Sequence, residues 1–383
     1  MKLLVISHKL VWRNSNSSSG FATDGGFPFQ MNSISQLFEK TIIAVPALAN
    51  KSPKGEILME GKNLSIYPLS SIKGSGILRK LRYIPWMFVH VLLLNKLINE
   101  ADAVHVPIPS DIGTLGMILA KFKNKRLFVR YCGNWNYQST KAEKLWKGFM
   151  ERFAGGNNVM LATGLQGNVP SVKNRNIHWI FSSSLTKEEI DKLTQKKPLL
   201  DPKAPKLIIV CRMVESKGVK NLIDSIKILK ERFPKIHLYL VGDGEDLEKF
   251  KDYVIGLDIN ENITFEGKLN HEDVITALQN AHIFCFPSKS EGFPKAVLEA
   301  LACGLPVVAN PISAIPELLN SGAGILLEND QPETIAFQVL NILHNPNQYL
   351  VMQNEGLNIA SKFSLENWRD TIKLYLEQAW GTI

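Results

Sequence analysis

Apolar residues in the second half of the chain come in short β-branched runs that end in turn residues. The runs are KLIIVCRMV (206–214), IHLYLVGDG (236–244), NITFEGKL (262–269), HIFCFPS (282–288) and LPVVANP (305–311). Between them lie stretches of helical period: VKNLIDSIKILKERF, EDLEKFKDYVIGL, HEDVITALQNA and PKAVLEALACG. In the first of these Leu222, Ile223, Ile226 and Leu229 recur at three- and four-residue spacing, as one buried helix face requires. Strands apolar on both sides, alternating with helices, predict a parallel sheet covered by helices.

The first half follows the same alternation less cleanly. The pattern predicts strands at 2–7, 41–46, 64–68, 102–107, 126–132, 158–162 and 177–181, and helices at 30–39, 85–99, 112–121 and 141–154. The opening run MKLLVIS is too short for a signal peptide and reads as the first strand. Two doubly wound α/β domains in series are expected, 1–190 and 191–365, joined by the Pro- and Lys-rich stretch 193–206. The closing segment SLENWRDTIKLYLEQAW puts Trp368, Ile372, Leu374, Tyr375 and Leu376 mostly on one side. Residues 366–383 are therefore expected to form a packed C-terminal helix, with the N-terminal domain as its candidate partner.

Composition narrows the function classes. With 383 residues and 45% apolar content, the chain can bury large cores and is not disordered. Its four cysteines form no CxxC pair and have no histidine cluster nearby, which argues against a zinc site or a disulfide framework and fits a reducing cytoplasm. No uncharged stretch reaches 18 residues, so no membrane span is expected. The net charge of +8 is unevenly placed: residues 1–180 hold 23 Lys and Arg against 9 Asp and Glu, whereas 181–383 hold 21 against 27. A basic first half suits an anionic membrane, an anionic acceptor or nucleic acid, or is simply a soluble basic surface. It carries no nucleic-acid reader motif, so nucleic acid is the weakest of these partners.

Candidate chemistry gathers where such sheets bind ligands, outside the carboxyl ends of the strands. Arg212 follows the run 207–211, and Lys217-Gly218 stands just before the next helix. Gly242 ends the second run, Gly267 closes the third, and Ser288 through Pro294 follow the fourth. Pro294 suits the first helical position, where a missing N–H costs nothing. Amides around Phe293, Lys295 and Ala296 would then form an anion site at the helix start, with Gly292 letting the backbone come close. Arg212 and Lys217 would converge on the same anion, so the crevice suits a diphosphate. Glu291 and Glu299 stand eight residues apart, roughly 12 Å along a helix. That is about the span between two sugars across a diphosphate, and carboxylates bind vicinal hydroxyls well. Glu299 would then hold a ribose and Glu291 a transferred sugar; a solvent-exposed Glu299 and a surface Lys295 are the plainer alternatives.

These residues resemble a known family. SEGFPKAVLEALACGLPVVA, CRMVESKGVKNLIDSI, LVGDGE and FEGKL are similar to motifs of the retaining glycosyltransferases of family 4, the glycosyl transferases group 1, which have the GT-B fold. The similarity covers nearly all of 206–330 and reaches the first half only in outline. It implies two Rossmann-like domains facing across a cleft, and a nucleotide-diphosphate sugar used without a metal or other cofactor. By resemblance, Arg212 and Lys217 bind the diphosphate, Glu299 the ribose, and Glu291 the sugar. Gly242, Gly267, Ser290, Gly292, Phe293, Pro294, Lys295, Val297 and Leu298 complete the donor site. The resemblance further implies that the leaving group is neutralised electrostatically, while the acceptor hydroxyl attacks from the same face with the departing phosphate as base.

Two departures stand on the acceptor side. Family members commonly place a histidine where this chain has Cys132-Gly133, with Tyr131 and Asn134 beside them. His105, at the end of the previous strand, could approach in its place or be structural. The usual Gly-Gly loop is present as Gly25-Gly26, but it follows the polar run RNSNSSSGFATD, which reads as a flexible lid or a plain loop.

The segment LRKLRYIPWMFVHVLLLNKLI (78–98) sets Arg79, Lys80 and Arg82 beside Tyr83, Trp86 and Phe88. It reads either as an interfacial segment on anionic lipid or as a core helix with a basic start. Together these features suggest a cytoplasmic, peripheral enzyme acting on a glycan or lipid-linked acceptor, and the resemblance implies surface polysaccharide assembly as its setting. Two alternatives are a nucleotide-sugar epimerase on the same fold and an inactive glycosyltransferase-like binding subunit, the latter motivated by the missing histidine.

Overall fold

The structure, a computed structural model, describes residues 1–383 except 50–56, 73, 75, 139, 166–167, 196–197 and 202; the side chains of 76–78 and 80 also lie outside the description. Lys80 and part of the expected linker 193–206 therefore fall outside the described residues. The chain forms two compact units. One joins Met1–Ser184 to Leu365–Ile383, and the other is Leu185–Ser364.

In the first unit the strands are β1 (Lys2–Ile6), β2 (Val11–Arg13), β3 (Phe21–Thr23), β4 (Lys40–Leu48), β5 (Ile57–Leu58), β6 (Leu64–Leu69), β7 (Ala103–Ile108), β8 (Arg126–Tyr131), β9 (Asn158–Thr163) and β10 (Ile177–Ile180). Strands β10, β9, β8, β7, β1 and β4 lie side by side in that order, all parallel, and β6 pairs with β4. The short β2, β3 and β5 extend the sheet beyond the end of β4, with two antiparallel pairings. This corrects the reading of the polar run after β1 as a lid or loose loop. Phe21, Ala22 and Thr23 are buried, and the turn between β2 and β3 is closed by Asn14 N–H donating to Gly20 O at 2.9 Å. Polar side chains conceal a hairpin there because its inward positions are few.

The helices of this unit are α1 (Phe27–Ser35), α2 (Gly76–Glu100), α3 (Asp111–Phe122) and α4 (Lys141–Phe153). Ser110 caps α3 by accepting from Gly113 N–H at 2.9 Å, and Thr140 with Glu143 forms a capping box on α4. The C-terminal helix Leu365–Trp380 packs within this unit. It buries Trp368, Ile372, Leu376 and Trp380, while Leu374 is 53% exposed, so the apolar stripe is narrower than the sequence suggests.

The second unit holds β11 (Lys206–Val210), β12 (His237–Val241), β13 (Ile263–Gly267), β14 (Ile283–Phe286), β15 (Val307–Ala309) and β16 (Gly324–Leu326). All are parallel, in the order β13-β12-β11-β14-β15-β16. This is the Rossmann order, with the direction of winding reversing between β11 and β14. Its helices are α5 (Lys187–Thr194), α6 (Val219–Lys230), α7 (Leu247–Ile255), α8 (His271–Gln279), α9 (Lys295–Ala302), α10 (Ile315–Leu319), α11 (Pro332–His344) and α12 (Pro346–Ala360). Leu222, Ile223, Ile226 and Leu229 of α6 are buried, as their spacing requires. Two Rossmann-like units thus make up the chain.

Candidate functional site

The winding reverses between β11 and β14, where such sheets bind ligands outside the carboxyl ends of their strands, and the backbone knits the two sides together. Lys289 N–H donates to Ser216 O at 2.9 Å, tying the loop after β14 to the loop after β11. Gly218 has φ +69°, and a Cβ there would collide with the carbonyl oxygen of Pro287. Gly242 has φ +138°, and its Cβ would strike the carbonyl oxygen of Cys211. Both positions need the missing side chain, because the loops from neighbouring strands touch there.

Lys217 sits between the two loops. Its Nζ donates to Ser290 O at 3.0 Å and pairs with the carboxylate of Glu291. The two side chains are only 14% and 18% exposed, so the pair is shielded from water. Ser288 Oγ donates to Ser290 O at 3.2 Å. Two residues that the sequence patterns did not single out hold this loop in place. Asn310, just after β15, donates to Pro287 O at 2.9 Å and to Ser288 O at 3.1 Å, and Ser313 Oγ donates to Gly292 O. The signal for Asn310 was present: it is the polar residue at the end of the run LPVVANP, where the other strands also carry theirs.

Arg212 is exposed, and with Asp243, Gly244 and Lys268 it lines an open depression of about 580 Å³. Asp243 belongs to the frame of that depression, since its carbonyl accepts from Met213 N–H at 3.1 Å. Burial pushes the Cys211 thiol beside Arg212 up to about 12, so it stays protonated and is a poor nucleophile.

The start of α9 differs from the expected arrangement. Pro294 precedes the helix, at φ −81° and ψ 74°, as its cap and not as its first residue. Its carbonyl accepts from Val297 and Leu298 N–H at 3.0 and 3.3 Å. The Lys295 amide is turned back onto Phe293 O at 3.0 Å, which removes it from the expected set of open donors. The amides of Phe293 and Ala296 donate to no group among the described residues. Val297 and Leu298 face the core and are 0% and 1% exposed, so they shape the helix seat and offer no side chain to a ligand. Glu299 is 12% exposed, with His271 Nδ1 4.0 Å from its carboxylate, and therefore is not the surface glutamate of the plainer alternative. Gly267 ends β13, and its carbonyl accepts from Gly242 N–H at 2.8 Å.

The residues named for the acceptor side lie in the first unit. Gly25, at φ +68°, and Gly26 lead into α1, whose first turn closes through Gln30 N–H on Gly26 O at 3.3 Å. Cys132 is exposed at the end of β8, followed by Gly133, and its N–H donates to Ile108 O at 2.6 Å. His105 cannot approach a ligand. It is fully buried within the sheet, its Nδ1 3.0 Å from Phe128 O and its ring stacked on Phe128. Burial, with Arg130 nearby, lowers its pKa to about 3 and keeps it neutral. At the start of α2 the structure sides in part with the core-helix alternative. Arg79 is bound to Asp111 at 2.7 Å and to Ile72 O at 3.1 Å, and Trp86 is turned inward.

Residues 191–359 match the family model described as glycosyl transferases group 1. An uncharacterized glycosyltransferase of Methanocaldococcus jannaschii is 33% identical over 44% of this chain and 43% of its own length. A GDP-mannose-dependent monoacylated alpha-(1-6)-phosphatidylinositol monomannoside mannosyltransferase of Corynebacterium glutamicum is 27% identical over 45% of this chain and 47% of its own. In each case the match spans less than half of the relative. Among solved structures, the Anabaena protein HepE in complex with UDP and glucose is similar over 98% of this chain and 99% of its own, with a TM-score of 0.70 and 16% identity, a likeness of fold.

Proposed function

We propose that the protein, whose residues 191–359 match the glycosyl transferases group 1, is a retaining, metal-independent glycosyltransferase of GT-B fold. It moves a sugar from a nucleotide-diphosphate donor to a hydroxyl of a glycan or lipid-linked acceptor in the cytoplasm, at the membrane, during surface glycan assembly. The observation that carries this reading is the joining of the loops after β11 and β14, with Lys217 held against Ser290 and Glu291 at the point where the sheet reverses.

In the proposed reaction the diphosphate lies between Arg212 and Lys217 on one side and the open amides of Phe293 and Ala296 on the other. These donors do not reorganise as charge builds on the leaving oxygen, which is the condition under which they lower a barrier most. The bond from the anomeric carbon to the phosphate oxygen breaks, and the nucleoside diphosphate departs. The acceptor hydroxyl bonds to the same carbon from the same face, and its proton passes to the departing phosphate oxygen. Glu291 holds the sugar hydroxyls and opposes the positive charge at the anomeric carbon. Glu299 holds the ribose. Lys217 is paired with Glu291, so the diphosphate and the carboxylate share one lysine.

HepE binds UDP and glucose, and the Corynebacterium relative uses GDP-mannose. A panel of UDP and GDP sugars is therefore the first test, with donor hydrolysis and transfer to glycolipid acceptors followed by NMR. A product of the donor's anomeric configuration, formed equally in the presence of a chelator, is expected. Inversion, a strict requirement for a divalent ion, or epimerised donor as the product would overturn the corresponding part of the reading.

A further inference from the structure

Helix α2 leaves five large apolar side chains in water. Leu81, Ile84, Phe88, Val89 and Leu92 are between 52% and 75% exposed. Steps of three and four residues set Leu81, Ile84, Phe88 and Leu92 along one line, with Val89 beside it. The line is roughly 16 Å long at 1.5 Å per residue. The opposite face is fixed in the core of the first unit through Trp86, Leu94, Leu97 and Ile98. Trp86 Nε1 donates to Ser70 O at 2.8 Å, and the His90 ring bridges Trp86 O and Ser70 Oγ at 2.9 and 3.1 Å.

Within the segment that carries the stripe, charge has one sign, although Asp111 pairs with Arg79 and Glu100 ends the helix. From Gly61 to Asn99 the sequence has no Asp or Glu, while it has Lys62, Lys73, Arg79, Lys80, Arg82 and Lys96. Arg82 and Lys96 are exposed and stand near the two ends of the apolar line. By length and composition the window Leu81–Glu100 could cross a membrane, which the absence of an uncharged run had argued against. Crossing would pull Trp86, Leu94, Leu97 and Ile98 out of the core. A second copy docked on the stripe would set the exposed Arg82 and Lys96 against like charges.

We propose that this face is the docking surface for an anionic lipid bilayer. Helix α2 lies in the plane of the interface, with the five apolar side chains at the headgroup–acyl boundary and Arg82 and Lys96 among the phosphates. The inference rests on the glycosyltransferase reading only in giving the bilayer as the place of a lipid-linked acceptor. It also replaces the aromatic set suggested by the sequence, since Trp86 packs inward and Arg79 is held by Asp111.

The test is co-sedimentation of the full chain with phosphatidylcholine vesicles containing or lacking phosphatidylglycerol, beside calorimetry of UDP and GDP binding. Binding should require the anionic lipid and weaken as salt screens the charges. Phe88→Ser with Leu92→Ser should reduce vesicle binding at least tenfold, with melting temperature and nucleotide affinity unchanged because both side chains are exposed. Leu81→Gln with Val89→Gln should act in the same way, and either pair suffices should the other fail to fold. Arg82→Ser with Lys96→Ser should remove most of the salt-sensitive part. Wild-type vesicle binding in both apolar variants would overturn the proposal. So would absent binding to every vesicle, or a concentration-dependent dimer that Leu92→Ser dissociates. Nucleotide binding without vesicle binding would defeat this inference alone; vesicle binding without any nucleotide binding would defeat the glycosyltransferase reading alone.

Discussion

Glu291 and Glu299 are identical side chains with different neighbours. Glu291 is bound to Lys217 in the loop before α9, whereas Glu299 lies inside the helix with His271 at 4.0 Å. In the proposed reaction Glu299 touches a ribose that does not change, so its contact is equally strong in ground and transition states. Glu299→Gln should raise the donor KM more than it lowers kcat. Glu291→Gln should do the reverse, because its sugar gains positive charge as the bond breaks. Calorimetry with the nucleoside diphosphate alone should show weaker binding in the first variant and none of that loss in the second; the opposite pattern would mean the donor lies reversed. Arg212→Ala and Lys217→Ala should each lower kcat/KM by about 100-fold or more, the scale seen when one preorganised donor to a developing anion is removed. Wild-type kinetics in either variant would remove that residue from the site. Gly242→Ala should cost about 3 kcal/mol or more in denaturant unfolding, since a positive φ and a backbone collision with Cys211 O act together.

Among the elements, β7 and β8 carry a pH dependence of their own. His105 of β7 stacks on Phe128 of β8, its pKa lowered to about 3 by burial and by Arg130, against about 6.5 in an unfolded chain. Above about pH 6.5 both states hold the ring neutral, and its stabilising effect is complete. As pH falls from there towards 3, the unfolded chain takes up a proton that the folded strand refuses. Stability is then lost at up to about 1.4 kcal/mol per pH unit. His105→Leu should therefore lose about 2 kcal/mol less than the wild type between pH 7 and pH 5, measured by denaturant unfolding at each pH. Equal slopes for the two proteins would show that His105 is not held neutral. Helix α2 shows the limit of reading an element from its own sequence. Its basic start and aromatic residues suggested the lipid contact, but Asp111 takes Arg79 and the core takes Trp86. The hairpin of β2 and β3 escaped a reading based on period, because three-residue strands are too short to show alternation.

The whole chain is divided so that the C-terminal helix lies with the first unit, although it follows the second in sequence. Trp368 is fully buried there beneath the Arg130 guanidinium, 5.0 Å from its ring, and Ser33 of α1 donates to Leu365 O at 3.2 Å. Trp368→Ala should cost about 3–5 kcal/mol, as for other buried tryptophans. The loss should appear in unfolding of the first unit, with nucleoside diphosphate affinity unchanged. A fall in nucleotide affinity alongside intact stability would contradict that assignment.

The amino-acid sequence by itself determined the alternation of strands and helices in the second unit and the strand ends at which its candidate residues stand. Parallel strands buried on both faces are continuous apolar runs, and each must end where the chain turns, so Arg212, Lys217, Gly242, Gly267 and Ser290 through Glu299 were marked by position as well as by type. That they stand on one side of the sheet followed from the general rule that such sheets bind at the carboxyl ends of their strands. Only the tertiary structure decided what each polar group is bound to. It turned the Lys295 amide back onto Phe293, paired Lys217 with Glu291, assigned Asn310 and Ser313 to the loop, and closed His105 inside the first sheet. The reason is physical. Burial of apolar runs is set by local period, which a linear sequence displays, whereas a hydrogen bond or an ion pair depends on residues tens of positions away that only the folded chain brings within reach.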